Sequence, residues 1–374
     1  MIDTFVEVPV KPGGFMESQS GIQRRNPKIF CRLVEPPTRA RTAFVLVHPT
    51  SNFHSHYLVP PLVERGAAVF LVNTRYVAND TMLLMERAIQ DLGAGIRWLR
   101  GRGFERVVLL GNSGGGSLAA MYQQQAERLT IVDTPDGQPI DLRPEDLPPA
   151  DAIAFNCAHP GRAEQLLHKI DPSVLDERDP DLRDPDLDLY AAGVAAPFPT
   201  AWVERYRAAQ KARLDRITAR VLARLKQLES TLPIEVADEP FVIHRTQADP
   251  RLLDLALDAN DRKVGTIQGN PAHANAAANG LARLCTLRSF LSQWSPAHTR
   301  AHGPDCLAAT TVPVLVVDHT ADQTTFPSHV DQWARAAGSR GRLERLRGAP
   351  HYLDDRPELK ATLADLLVDW AAAR

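Results

Sequence analysis

The sequence predicts an α/β protein built on a mostly parallel β-sheet. Short, fully apolar runs recur through its first part and again near its end, and segments with the apolar spacing of amphipathic helices lie between them. Fully apolar runs of this kind are typical of strands that helices cover on both faces. Strands that alternate with helices in this way indicate βαβ units and therefore a parallel sheet.

The N-terminal part supplies most of the predicted elements. Residues 4–10 alternate apolar and polar side chains before a Pro-Gly-Gly turn, which predicts an edge strand with residues 28–34 as its hairpin partner. Buried strands are then predicted at residues 43–47, 68–72, 107–110 and 152–155. Helical periodicity predicts helices between them at residues 57–64, 82–100 and 117–122.

The alternation stops between about residues 160 and 305, which predicts a mostly helical insertion. Residues 171–188 are acidic and interrupted by prolines. Because no glycine turn or bidentate glutamate accompanies these aspartates, a solvated loop is favoured over a calcium site. Residues 201–228 show the pattern of a long amphipathic helix, and residues 275–294 predict a second helix that ends before a Ser-Pro pair.

The α/β pattern then returns and closes the chain. Strands are predicted at residues 312–318 and 342–346, and helices at residues 330–337 and 358–373. The predicted organisation is therefore one α/β core made of residues 1–160 and 305–374, with residues 161–304 inserted into it.

The composition fits a globular protein without nucleic-acid or membrane partners. The net charge of −2 gives no electrostatic basis for binding nucleic acid, and no apolar stretch reaches membrane-spanning length. The start of the chain lacks a secretory pattern, and the four cysteines are far apart with no Cys-x-x-Cys. We therefore expect a cytoplasmic protein with no cofactor and no bound metal; a homodimer is left open.

The segment 111–116, Gly-Asn-Ser-Gly-Gly-Gly, carries the clearest chemical signal. It joins the apolar run 107–110 to a helix-compatible run, so Ser113 sits at the tip of a sharp strand-to-helix turn. The pattern Gly-x-Ser-x-Gly in this setting is typical of a nucleophile elbow. A turn that only binds an anion is the alternative. A dinucleotide-binding loop is not an alternative, because Ser113 occupies the position of the second glycine in the Gly-x-Gly-x-x-Gly pattern.

Serine-dependent acyl transfer also needs a base and an acid that orients the base. His351 follows the last predicted strand, and Asp322 lies in the loop after the strand that ends at Asp318. Both loops leave the carboxyl ends of strands, where open α/β sheets bind ligands. Asp322 is preferred as the acid, and Asp318 is its rival because it sits at the strand tip.

An oxyanion is stabilised by N–H donors near the nucleophile. One is expected from Gly114, at the start of the helix after Ser113. The other is expected from the loop at residues 48–52. Pro49 has no N–H, so Thr50 is preferred and Ser51 comes next.

The order serine, aspartate, histidine along the chain, together with the motifs around Ser113, His48-Pro49-Thr50, Asp322 and His351, resembles the α/β-hydrolase superfamily. The resemblance covers about residues 28–160 and 305–374. It implies a Ser-His-Asp triad on a mostly parallel eight-stranded sheet, with a helical cap inserted after the sixth strand. Residues 161–304 fit that cap by position. His48-Pro49 departs from the usual His-Gly of the oxyanion loop.

Several further residues are candidates for contact with a substrate. His48 lies beside the oxyanion loop, Arg75 follows a strand at the same sheet edge and offers a partner for a carboxylate, and Trp294 offers an apolar wall. The other aromatic wall candidates are Phe198, Trp202 and Phe290.

The sequence thus predicts a serine hydrolase that acts on a small-molecule carboxylic ester through an acyl-enzyme. The same triad acting on a thioester, an amide, a lactone or a C–C bond is an alternative, as is acyl transfer to another acceptor. A hydrolase-like binding protein without turnover is the alternative from another class.

Overall fold

A mixed eight-stranded sheet forms the centre of the protein in a computed structural model, which describes residues 1–14 and 25–373. Its strands, in chain order, are β1 (Ile2–Pro9), β2 (Lys28–Glu35), β3 (Thr42–His48), β4 (Ala68–Asn73), β5 (Arg106–Asn112), β6 (Ala152–Asn156), β11 (Val314–His319) and β12 (Gly341–Leu346). They lie in the order β1-β2-β4-β3-β5-β6-β11-β12. Only β2 runs antiparallel to its neighbours, β1 and β4, so the predicted mostly parallel sheet is confirmed.

Helices cover both faces of this sheet. One face carries α2 (Met85–Gly101), α3 (Gly115–Glu127), α8 (Gly303–Ala308) and α9 (Pro327–Ala337). The other carries α1 (Val59–Glu64) and α10 (Pro357–Ala372). In β3, Val45 and Val47 pack into the first layer, whereas Phe44 and Leu46 pack into the second. Because successive side chains of a strand point to opposite faces, a strand between two helical layers has to be apolar throughout.

Between β6 and β11 the chain leaves the sheet. It forms the helices α4 (Arg162–Lys169), α5 (Thr200–Glu229), α6 (Pro271–Ala276) and α7 (Leu287–Gln293). It also forms two hairpins, of β7 (Val174–Asp176) with β8 (Asp179–Arg183) and of β9 (Pro240–Val242) with β10 (Leu284–Thr286). The helix α5 is amphipathic, as predicted, and its buried apolar side chains include Leu214, Ile217, Val221, Leu225 and Leu228.

Two predictions for this segment were wrong. The acidic stretch 171–188 is not simply a solvated loop, because it contains a hairpin and because Asp171 is fully buried against the Arg245 guanidinium at 2.7 Å. Residues 275–294 are not one helix, since residues 284–286 pair with β9 instead. In both cases contacts between distant parts of the chain outweigh the local pattern.

Among the described helices, none combines the length and the apolar character needed to cross a membrane.

Candidate active site

The turn after β5 has the strained geometry expected of a nucleophile elbow. Ser113 has a φ of 53°, in the left-handed region that residues with a side chain rarely adopt. The glycines around it are required by close packing. A Cβ at Gly115 would lie 2.1 Å from the Val47 carbonyl oxygen, and a Cβ at Gly111 would lie 2.7 Å from the Gly116 Cα. The turn therefore holds the Ser113 side chain at the carboxyl edge of the sheet.

Ser113, His351 and Asp322 form a continuous hydrogen-bonded chain. The distance from His351 Nε2 to Ser113 Oγ is 3.1 Å, and the distance from His351 Nδ1 to Asp322 Oδ2 is 2.7 Å. Asp322 is fully buried, and its other oxygen accepts the backbone N–H groups of Thr324 at 2.7 Å and Thr325 at 3.1 Å. These two bonds fix the carboxylate, which in turn can fix the imidazole with one nitrogen toward Ser113.

The loops that carry the acid and the histidine brace each other. The Ala321 N–H donates to the Ala349 carbonyl at 2.9 Å, and the distance from His319 Nδ1 to the Pro350 carbonyl oxygen is 2.8 Å. Two contacts just before His351 therefore link its loop to the end of β11. A histidine held in this way is already in position before a substrate binds, so binding does not have to bear the entropic cost of fixing it.

Burial and the Asp322 carboxylate act on the pKa of His351 in opposite directions. Burial by itself lowers the pKa of His351, but the attraction of the Asp322 carboxylate raises that pKa well above its ordinary value. For Asp322, burial alone would raise the pKa of the carboxyl group. The interaction with His351 outweighs the effect of burial, and the pKa of Asp322 is lowered. Asp322 can therefore stabilise the imidazolium that forms when His351 accepts a proton.

Asp318, the rival acid, lies elsewhere. Its carboxylate is 3.4 Å from Arg345 Nε on the neighbouring strand, and burial raises its pKa. The structure brings Asp322, not Asp318, to the His351 imidazole.

The loop after β3 contains Thr50, whose N–H was predicted to bind the oxyanion. The N–H groups of Thr50 and Ser51 both donate to His48 Nδ1, at 3.1 Å and 2.8 Å. The Thr50 N–H thus already has an acceptor in this structure, which disfavours its predicted role as an oxyanion donor; that role stays a prediction. Gly114 differs, since its N–H donates to no acceptor within residues 1–14 and 25–373.

These two bonds determine the tautomer of His48. Burial lowers the pKa of His48 to about 3, so the ring is neutral at neutral pH. A neutral imidazole whose Nδ1 accepts hydrogen bonds carries its proton on Nε2. That nitrogen would be 2.6 Å from a Cβ at Gly114, so His48 occupies the space that a larger residue at 114 would need. His48 Nε2 therefore lies against Gly114, the residue after Ser113, and both residues line the same cavity as Ser113.

A cavity of about 500 Å³ opens onto Ser113 and Gly114. Of the predicted substrate contacts, His48 and Trp294 line this cavity. Arg75 does not, because its guanidinium binds the buried Asp91 carboxylate at 2.6 Å and the Lys11 carbonyl at 2.9 Å. The structure thus places Arg75 in an internal ion pair and away from the cavity.

The other aromatic wall candidates also lie in packed clusters. Phe290 is fully buried in the core beneath α5, and Phe198 stacks on Trp202 with ring centroids 4.8 Å apart. Most residues that line the cavity instead have polar side chains, and sequence reasoning missed several of them, namely His159, Arg162, Gln165 and Lys169. Three of them recur at spacings of three and four on the helix just after β6, a signal that was present in the sequence.

No family model matches the chain, and neither does any curated protein sequence. Among solved structures the chain is similar to DcsB, which was solved in complex with its substrate analogue, with 11% identity, a TM-score of 0.53 and 99% of each chain covered. It is also similar to the esterase domain of a Rhodothermus marinus protein, with 13% identity, a TM-score of 0.49 and coverage of 99% of this chain and 98% of the other. A monoacylglycerol lipase of Paleococcus ferrophilus has 13% identity and a TM-score of 0.46, with 92% and 98% covered.

The strand order, the crossover helices and the similarity to DcsB define the fold. The chain has the α/β-hydrolase fold, as its sequence motifs predicted. Identities this low establish the fold alone, so the chemistry has to be argued from the residues of the site.

Proposed function

We propose that this protein is a serine hydrolase that cleaves carboxylic esters. One observation carries the proposal: Ser113 sits on a strained elbow with its Oγ 3.1 Å from His351 Nε2, while His351 Nδ1 lies 2.7 Å from a fully buried Asp322. A surface serine near a histidine needs neither the strained backbone nor the buried carboxylate. Nucleophilic catalysis benefits from both.

In the proposed reaction His351 takes the proton of Ser113 while Oγ attacks the ester carbonyl. The C–O bond to the alcohol then breaks, and His351 returns its proton to the leaving alkoxide, which leaves an acyl group on Ser113. Water then attacks the acyl carbon with His351 again as the base. The bond from that carbon to Oγ breaks as His351 returns the proton to Oγ, and the carboxylic acid is released. Asp322 keeps the imidazole oriented and stabilises its charged form throughout.

The oxyanion of each tetrahedral intermediate is proposed to be held by the Gly114 N–H and by His48 Nε2–H. Both groups are near Ser113 in the cavity wall, and the Gly114 N–H has no acceptor among the described residues. A neutral imidazole is a suitable donor here because its proton is fixed on Nε2 before the substrate binds.

Residues 161–304 are proposed to act as a cap over this site. Their first helix, α4, contributes Arg162, Gln165 and Lys169 to the same cavity as Ser113. Selectivity among substrates is then a property of this segment.

The predicted cytoplasmic location is compatible with four buried cysteines that are all free.

Hydrolysis of p-nitrophenyl esters from acetyl to longer acyl chains tests the proposal. We expect turnover by the wild type and by Ser230→Ala, a matched loss of an exposed hydroxyl just after α5. Ser113→Ala should lose at least a thousandfold in kcat without unfolding. A folded Ser113→Ala variant with wild-type turnover would remove Ser113 from the chemistry. Thioester, amide and lactone substrates, and added alcohol acceptors, identify the bond and the acceptor if esters are poor substrates.

A further inference from the structure

Three positive side chains and one carboxylate line the cavity that holds Ser113. The positive groups are Arg162, Lys169 and Arg283, and the carboxylate is Asp80. Arg162 already pairs with Asp80, and its guanidinium also lies over the Trp294 ring at 4.2 Å from the centroid. The cavity therefore contains more positive charge than its own carboxylate can balance.

Lys169 is the most unusual of these groups. Only 5% of its surface is exposed, yet no carboxylate of the described residues lies within ion-pair distance of its ammonium. Asp249, whose field acts on Lys169, already pairs with Arg207 at 2.6 Å and with Arg251 at 2.8 Å. An ammonium without a counter-ion is costly to bury, and proteins rarely keep one unless it has a function.

The charge of Lys169 survives its burial at neutral pH. Burial lowers the pKa of Lys169 to about 8, so at pH 7 most molecules still carry the ammonium. The residue lies at the end of α4, where a positive charge also interacts favourably with the helix dipole. That interaction does not require the side chain to turn into a cavity.

Arg283 is a further positive group in the cavity wall. Its guanidinium donates to the backbone carbonyl of Ile243 at 3.1 Å, and its Nε is buried without a partner among the described residues. No carboxylate of those residues pairs with it. Two helical turns of α4 and the segment before β10 thus present positive groups to the same space.

We propose that the substrate of this site carries an anionic group, a carboxylate, which binds to Lys169 while its ester bond is cleaved at Ser113. The inference rests on the proposed function and names its substrate class: esters that keep a free carboxylate away from the scissile bond. Arg283 supports the same group through the charge of the cavity, and Arg162 is balanced by Asp80.

Matched ester pairs test the proposal. The p-nitrophenyl monoester of adipic acid is compared with the same compound whose free carboxylate is methylated, and 6-acetoxyhexanoate with its methyl ester. The first pair places the carboxylate on the acyl side and the second on the alcohol side. In at least one pair we expect the wild type to favour the acid at least tenfold in kcat/KM. A charge-assisted hydrogen bond in a buried site typically strengthens binding by about tenfold or more.

Variants assign this preference to one residue. Lys169→Met keeps the length of the side chain and should reduce the preference for the acid at least tenfold, mainly through KM. Lys169→Arg should retain most of it, and Lys226→Met, which removes an exposed lysine of α5, should leave it unchanged. A preference below twofold in both pairs, or one that persists in Lys169→Met, overturns the proposal.

Thermal unfolding separates binding from a structural role. Because Lys169→Met removes a buried ammonium without a counter-ion, its Tm should equal or exceed that of the wild type. A clear fall in Tm would mean that Lys169 supports the fold, and it would overturn the proposal.

The proposal and the proposed hydrolysis can fail separately. Turnover of the methylated esters that depends on Ser113, without any preference for the acids, leaves the hydrolase proposal standing and removes the carboxylate site. If none of these four esters is hydrolysed, calorimetric titration with adipate still tests the site. Adipate should bind the wild type at least tenfold more tightly than Lys169→Met, and equal affinity would remove the site.

Discussion

The replacement His48→Phe tests whether a side chain, rather than the backbone of residue 50, completes the oxyanion site. Phenylalanine keeps a ring of similar size against Phe53, whose ring centroid lies 5.4 Å from that of His48. It removes the Nε2–H and leaves the Gly114 N–H in place. Loss of one of two oxyanion donors typically costs about a hundred- to a thousandfold in kcat, or roughly 3–4 kcal/mol of transition-state stabilisation.

The loss should appear in kcat and not in KM, since an oxyanion exists only after attack on the carbonyl. His48 is neutral because burial lowers its pKa to about 3, so its removal should not change the shape of the pH profile near neutrality. Replacement of the base His351 should abolish that profile. His48→Gln, which retains an N–H donor, should exceed His48→Phe in kcat.

Steady-state hydrolysis of a p-nitrophenyl ester measures these quantities directly. His54→Phe is the matched control, because His54 lies on the same loop and hydrogen-bonds with the Phe30 carbonyl, outside the cavity. If folded His48→Phe retains a kcat within threefold of the wild type, the assignment of His48 as a donor is wrong. The Thr50 N–H, which this replacement releases from Nδ1, would then be the remaining candidate.

Three further predictions follow from the same geometry. Asp322→Asn should reduce kcat several thousandfold, whereas Asp318→Asn should reduce it less than tenfold, because only Asp322 contacts the His351 imidazole. Ester hydrolysis measures both values of kcat, and equal losses would contradict the assignment of Asp322 as the acid. The attraction of Asp322 raises the pKa of His351, so kcat/KM should fall when the pH drops below that pKa and the base becomes protonated. In Asp322→Asn this acidic limb of the pH profile should move to lower pH. An acidic limb that does not move would contradict the coupling between the two residues. Gly115→Ala should lower the free energy of unfolding by about 1–3 kcal/mol in urea denaturation, since its Cβ would meet the Val47 carbonyl oxygen at 2.1 Å; unchanged stability would show that the turn tolerates a side chain.

Local signals in the sequence were sufficient for the sheet and for the three residues of the hydrogen-bonded chain. A fully apolar strand identifies itself, and a serine between glycines at a strand-to-helix junction has few structural explanations. Asp322 and His351 could be selected because both follow strands, and the parallel sheet brings the ends of those strands to one edge.

Contacts between distant segments could not be predicted in the same way. The two N–H donors to His48 Nδ1 depend on how the loop turns at Pro49, which periodicity does not describe. Arg75 looked available for a substrate because the proximity of Asp91, one helix further along the chain, is a property of the folded protein. The helical pattern of residues 275–294 yielded to pairing with β9 for the same reason.

The positive groups of the cavity belong to this second category. In the sequence Lys169 is an ordinary residue near the end of a helix. Only the folded chain shows that it is buried, that it lines the same cavity as Ser113, and that it has no carboxylate partner among the described residues. Its helix could be placed from the sequence only within an insertion whose packing was unknown.

Labelling of the folded protein with a fluorophosphonate tests the central claim most directly, because the reagent reacts with an activated serine whatever the substrate is. Peptide mass spectrometry should find one adduct, on Ser113, in the wild type. It should be absent from Ser113→Ala and formed far more slowly in His351→Ala. A folded wild-type protein that stays unlabelled at Ser113 would contradict the account.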